Sequence, residues 1–230
     1  MGLLGLDCFD AMVAEGLDID GYVFLSQVYR SILPVRIGAR LSLTGHVRSL
    51  SEVSAGHVVT ETYLFEDGQG RACVETELTG LVRDGVHGPP DRTQAPALPR
   101  RDDLPAAHWT KVQEKVLTPE KVRIFSEDVG NAIHFDPAYA QEHGFRAPLA
   151  QGVMSAVWLM STLYERQMPT MFDVEVRYLR PIFWDSQATL WVARSPDGSV
   201  AMAQSRNEQG KPTADMQVRA LSYAPACSGR

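Results

Sequence analysis

The stretch from Asp84 to Ala107, DGVHGPPDRTQAPALPRRDDLPAA, constrains the fold more than any other part of this sequence. Pro89, Pro90, Pro96, Pro99 and Pro105 fix their own φ and remove backbone donors, and no apolar period runs through the segment. It reads as an extended linker, which divides the chain into a first half, residues 1–83, and a second, residues 108–230. Apolar residues at 44% and charged residues at 22% give the chain a globular composition, and 230 residues are enough to bury a core.

In the first half, DIDGYVFLSQVYRSIL fits a helix. Asp18 or Asp20 would cap it, Tyr22, Val23, Phe24, Leu25, Val28, Tyr29 and Ile32 would form a wide apolar face, and Pro34 would end it. Three strand-like runs follow, LSLTGHV, HVVTETYLF and CVETELTGLV, separated by the turn signals SAG and EDGQGR. The second half opens with the strand WTKVQEKVL and then a helix announced by Thr118-Pro119-Glu120. In HFDPAYAQEHG, Asp136 caps a short helix that Pro137 starts and Gly144 closes. PLAQGVMSAVWLMSTLYERQ reads as a long helix with Leu149, Val153, Ala156, Val157, Met160 and Tyr164 on one side. Beyond Pro169 the period changes to two, in MFDVEVRYL, ATLWVARS, VAMAQSRN and TADMQVRALSY, with turns at PDG and EQG. Each half thus shows one long apolar helix and several antiparallel strands, an α+β pattern in which the sheet's apolar face is covered by the helix.

A net charge of −6 argues against a nucleic-acid binder, whose affinity would rest on clustered Lys and Arg. Cys8, Cys73 and Cys227 have neither disulfide nor metal-ligand spacing and read as reduced thiols of a cytoplasmic protein. The start MGLLGLDCFDAMVAEG lacks a basic region, and Asp7 and Asp10 interrupt it, so it makes a poor signal peptide. No run approaches the ~20 apolar residues of a membrane span. Phosphate-loop, dinucleotide and nucleophile-elbow patterns are missing, and the histidines have no zinc spacing.

The most informative segment is IFSEDVGNAIHFDPAYAQEHGFRAPLAQGVM, residues 124–154. Its Asn131, Ile133, His134, Asp136, Ala140, Gly144, Phe145 and Gly152 fall at the spacings of Asp-x-Asn-Pro-Ile-His-x-Asp, Ala, Gly-Phe and His-Gly-Met. In this it resembles the MaoC-like, (R)-specific enoyl-CoA hydratase family. The resemblance implies a double hot-dog fold. The unit 1–83 would lack the motif and bind the acyl tail, 84–107 would link, and the unit 108–230 would carry the chemistry. It also implies an enoyl or 3-hydroxyacyl thioester as substrate, on coenzyme A or an acyl carrier, and no cofactor or metal. A hot-dog thioesterase and a non-catalytic acyl-binding subunit are the alternatives, and a homodimer or an unlike second subunit is left open.

Hydration needs a base for the water, an acid for the α-carbon and donors for charge on the thioester oxygen. The resemblance gives His134 and a carboxylate the first two roles, and Asn131, Ala150, Gln151 and Gly152 substrate contacts, to which Arg146 is added as a charged candidate. The motif's Asp, however, is Val129 here, its Pro is Ala132, and its His before the helix glycine is Gln151. Asp128, one residue early, is the nearest substitute, reachable through a bulge eased by Gly130. Asp136 reads as a cap and Val129 as a core residue in a stripe with Val122 and Phe125. Arg100, Arg101, Arg146, Arg166, Arg177 and Arg180 are candidates for a basic rim facing phosphates.

Overall fold

The period-two runs place alternate side chains on opposite faces, and in the computed structural model they pair into one antiparallel sheet. The structure describes residues 4–16, 22–54, 56–83, 108–127, 131–165 and 167–224. The first half gives helix α1 (Leu4–Ala14) and strands β1 (Tyr22–Ser31), β2 (Ser42–Val53), β3 (Gly56–Glu66) and β4 (Ala72–Arg83). The second gives β5 (Thr110–Val116), α2 (Pro119–Ser126), a 3-10 turn (Ala132–His134), α3 (Pro137–Glu142), α4 (Gly152–Ser161), β6 (Pro169–Tyr178), β7 (Gln187–Arg194), β8 (Val200–Asn207) and β9 (Pro212–Tyr223). The strand order is β2-β3-β4-β1-β6-β9-β8-β7-β5, so the halves meet where β1 pairs with β6.

One expectation is overturned. The segment expected to be a helix over residues 18–33 forms strand β1, and the first half's helix is α1, at residues 4–14. β1 lies between β4 and β6 and is buried on both faces, with Gln27 and Tyr29 on one and Val28 on the other. A strand buried on both faces reads as a near-continuous apolar run, which mimics a wide helical stripe. Asp18 and Asp20 lie outside the described residues. The other strands and helices form where expected, although α4 is shorter than the apolar run: Leu149 precedes it, and a 3-10 turn, Thr162–Tyr164, follows it. Thr118 caps α2 by accepting from the Lys121 N–H, and Asp136 caps α3 by accepting from the N–H groups of Ala138 and Tyr139. The PDG and EQG turns bring Gly198 to φ +81 and Gly210 to φ +72, where side chains are disfavoured.

Helix α4 is apolar nearly all round, as suits a helix with little solvent-facing surface. Its Ala156, Leu159 and Met160 pack with Phe172, Val174, Val176, Leu190, Val192 and Met216 of the second half's strands. A smaller cluster sets Cys8 and Met12 of α1 against Tyr63, Phe65, Val74 and Leu78 of β3 and β4. Cys8 and Cys73 are free and buried. Among the described residues no helix is long and apolar enough to cross a membrane.

The opposite face of the sheet is tied by charges. Arg30 of β1 pairs with Glu75 of β4 and Asp173 of β6, and Arg219 of β9 pairs with Glu175 and Asp173. Arg177 and Asp215 form a buried bidentate pair between β6 and β9, at 3.0 and 2.7 Å. Asp215→Ala should therefore lower the unfolding free energy in urea by about 3–5 kcal/mol, because it removes the bidentate partner of a buried guanidinium. Arg219→Ala, on a partly exposed pair, should cost about 1 kcal/mol or less. Equal costs would contradict this ranking.

Candidate active site around His134

Three short segments converge on His134. The first is the 3-10 turn, which Asn131 caps: its Oδ1 accepts from the Ile133 N–H at 3.2 Å. The second is Pro148–Ala150, the approach to α4. The third is the turn containing Ile182–Trp184, between β6 and β7. The Ala150 N–H donates to the Ile182 carbonyl at 2.8 Å, the Trp184 N–H to the Pro148 carbonyl at 3.0 Å, and Leu149 bridges to Phe183. Leu149 is bonded twice to the histidine turn. Its N–H donates to the Ile133 carbonyl at 3.1 Å, and its carbonyl accepts from His134 Nδ1 at 2.9 Å.

The second of these bonds fixes the chemistry of the ring. A carbonyl can only accept, so Nδ1 carries the proton and Nε2 presents a free lone pair. Burial pushes the His134 pKa down to about 4, against the upward pull of the Leu149 carbonyl. The imidazole is therefore neutral at pH 7, in the tautomer a general base needs.

Leu149 stands only three residues before Gly152, the first residue of α4, so the same backbone that holds the ring also places the helix N-terminus. The first N–H groups of a helix lack intrahelical partners and face outward as donors. The N–H groups of Gln151 and Gly152 have no partner among the described residues, whereas that of Ala150 is consumed by Ile182. Gly152 also lies against the Tyr178 ring: a Cβ there would sit 3.2 Å from Tyr178 Cε1. The glycine thus makes room for a tyrosine ring, a reason the sequence did not suggest.

The remaining sequence candidates divide. Gln151 is buried beside the donors, with no capping bond from its side chain. Arg146 binds Asp185 bidentately at 2.8 and 2.9 Å and stacks on Phe183 of the Ile182–Trp184 turn. Arg177 leaves the candidate basic rim, because its charge is spent on Asp215 in the interior. Arg180 is exposed and donates to the Pro212 carbonyl. Asp128, Val129, Gly130, Arg100, Arg101 and Arg166 lie outside the described residues. Among the described residues no cluster of three or more His, Cys, Asp or Glu could hold a metal.

Sequence reasoning missed the contact by which the first half reaches the start of α4. Tyr178 donates from its hydroxyl to Gln27 Oε1 at 3.2 Å, and its ring meets Phe24 at 5.6 Å between centroids. Gln27 in turn donates to Thr76 at 3.4 Å, and Thr76 to the Val28 carbonyl at 2.8 Å. Burial raises the Tyr178 pKa, which keeps the phenol a donor. Reading residues 22–31 as a strand would have pointed to this connection, because alternation sets Gln27 and Tyr29 on one face.

No protein-family model and no curated protein matches the chain in sequence. Solved structures do match in fold. HtdX of Mycobacterium tuberculosis superposes with a TM-score of 0.74 at 21% identity, over 96% of this chain and 86% of that one. A MaoC-like dehydratase from Phytophthora capsici gives 0.68 at 17% identity, over 91% and 75%. An acyl-ACP thioesterase from Bacteroides thetaiotaomicron gives 0.60 at 11% identity, over 95% and 88%. At such identities the likeness speaks for architecture and not for activity. The architecture of this chain is the hot-dog fold of the MaoC-like dehydratases.

Proposed function

We propose that this protein is a hydratase/dehydratase that interconverts an enoyl thioester and its 3-hydroxyacyl form, on coenzyme A or an acyl carrier. In this reading the chain is a double hot-dog. Residues 1–83 hold the acyl tail, 84–107 link, and 108–230 carry the chemistry. The observation that supports it best is the bond from His134 Nδ1–H to the Leu149 carbonyl, which leaves Nε2 a neutral base on a turn tied to the backbone three residues ahead of α4.

The reaction runs as follows. His134 Nε2 takes one proton from water as the oxygen adds to C3. Electron density moves through C2 to the thioester oxygen, where the backbone N–H groups of Gln151 and Gly152 hold the charge. The imidazolium then returns the proton to C2, and the reverse sequence dehydrates. The second water hydrogen needs an acceptor, for which this chain offers Asp128 and Gln151. The same fold in the Bacteroides acyl-ACP thioesterase keeps thioester hydrolysis as the second reading.

Incubated with enoyl-CoA or enoyl-carrier substrates of several lengths, the protein should remove the enoyl absorbance and form the 3-hydroxyacyl product. His134→Ala should lower kcat/KM by about a hundredfold to ten-thousandfold. Release of free thiol without hydroxyacyl product would instead identify a thioesterase. Absence of turnover on every chain length and carrier would sink both readings.

Protonation gives a check without substrate. His134 binds its proton less tightly folded, at about 4, than unfolded, near the ordinary 6.5. Its contribution to stability is therefore complete above pH 6.5 and is lost as pH falls from there toward 4. Wild type should lose about 3 kcal/mol more than His134→Gln over that interval in urea unfolding. Parallel curves would show that the histidine is not held in its neutral form.

A further inference from the structure

We infer that the side chain of Gln151 is the second acceptor for the attacking water, so that the chain adds water with one titrating group instead of a histidine–carboxylate pair. This rests on the hydratase reading above and concerns the gap left by Val129 in the motif.

Gln151 is 5% exposed, and its Oε1 is shielded from solvent without a hydrogen-bond partner among the described residues. It does not cap α4, although it occupies the capping position. A buried acceptor left unpaired costs about 1–3 kcal/mol, and native proteins seldom tolerate one without a use. The residue stands next to Gly152 and two residues after Leu149, whose carbonyl holds His134. Among the described residues of the motif segment, the other carboxylate and amide side-chain oxygens are engaged or exposed. Asn131 Oδ1 accepts from Ile133, Asp136 Oδ1 accepts two N–H groups of α3, and Glu127 is exposed.

Two acceptors orient a water for attack, since each takes one hydrogen and a lone pair is left for C3. His134 Nε2 accepts the hydrogen that is transferred, and Gln151 Oε1 accepts the hydrogen that stays. The water oxygen bonds to C3, the C2=C3 pair becomes the enolate, and C2 recovers the proton from His134. Gln151 gains and loses no proton, so it is a positioning group whose neutrality removes any carboxylate ionisation from the cycle.

The test compares Gln151→Leu, Gln151→Glu and Asp128→Asn with wild type on the enoyl thioester that wild type turns over. Gln151→Leu should lower kcat about a hundredfold through misplaced water, with KM changed less than threefold and urea stability equal or higher. A structural glutamine would give the opposite stability result. Gln151→Glu should keep an acceptor, recover at least tenfold over the leucine variant, and add a second ionisation to a wild-type pH profile that shows His134 alone. Turnover that His134→Ala abolishes but Gln151→Leu leaves intact overturns this inference and spares the hydratase reading. Loss of activity in Asp128→Asn assigns the acceptor to Asp128 instead. Absence of wild-type turnover removes the reading and this inference together.

Discussion

The site depends on one residue's backbone. Leu149 gives its N–H to Ile133 and its carbonyl to His134 Nδ1, and three residues later the chain begins α4. The two bonds fix the position, orientation and tautomer of the imidazole, with no side-chain partner among the described residues. They also fix it relative to the helix N-terminus, because the same short segment makes both. A carboxylate partner would orient a histidine and raise its basicity at once. A carbonyl orients the ring with little charge to offset burial, which accounts for the depressed pKa of His134.

The sheet supplies the frame for that segment. The Ile182–Trp184 turn clamps Pro148 and Ala150, while Gly152 rests on Tyr178, whose hydroxyl reaches Gln27 in the first half. The β1–β6 pairing thereby does more than extend the sheet. It places a buried chain of Tyr178, Gln27 and Thr76 beside the start of α4. Pairing across the halves and a buried Arg177–Asp215 pair within the second keep that floor in register.

Much of this was legible in the sequence, for local reasons. Thr118-Pro119 and Asp136-Pro137 each put an N-cap before a proline, and both begin helices. Strands with one polar face showed their period. β1 did not, because burial on both faces erases alternation and its central position depends on partners more than forty residues away in sequence. Asn131 and Arg146 were legible as polar residues near the motif, but not as groups already spent on Ile133 and Asp185. Tyr178 and Gln27 were invisible, since their meeting is tertiary and 151 residues separate them. Gln151 was legible as a departure from the motif; that its oxygen is orphaned is a fact of packing.

The protonation state of one ring carries the proposed chemistry. Nitrogen NMR of His134, assigned by comparison with His134→Gln and followed from pH 8 to pH 4, reports tautomer and titration together. The structure predicts a proton on Nδ1, a bare Nε2, and a midpoint near 4. A ring protonated on Nε2, or one that titrates near 6.5, would contradict the account.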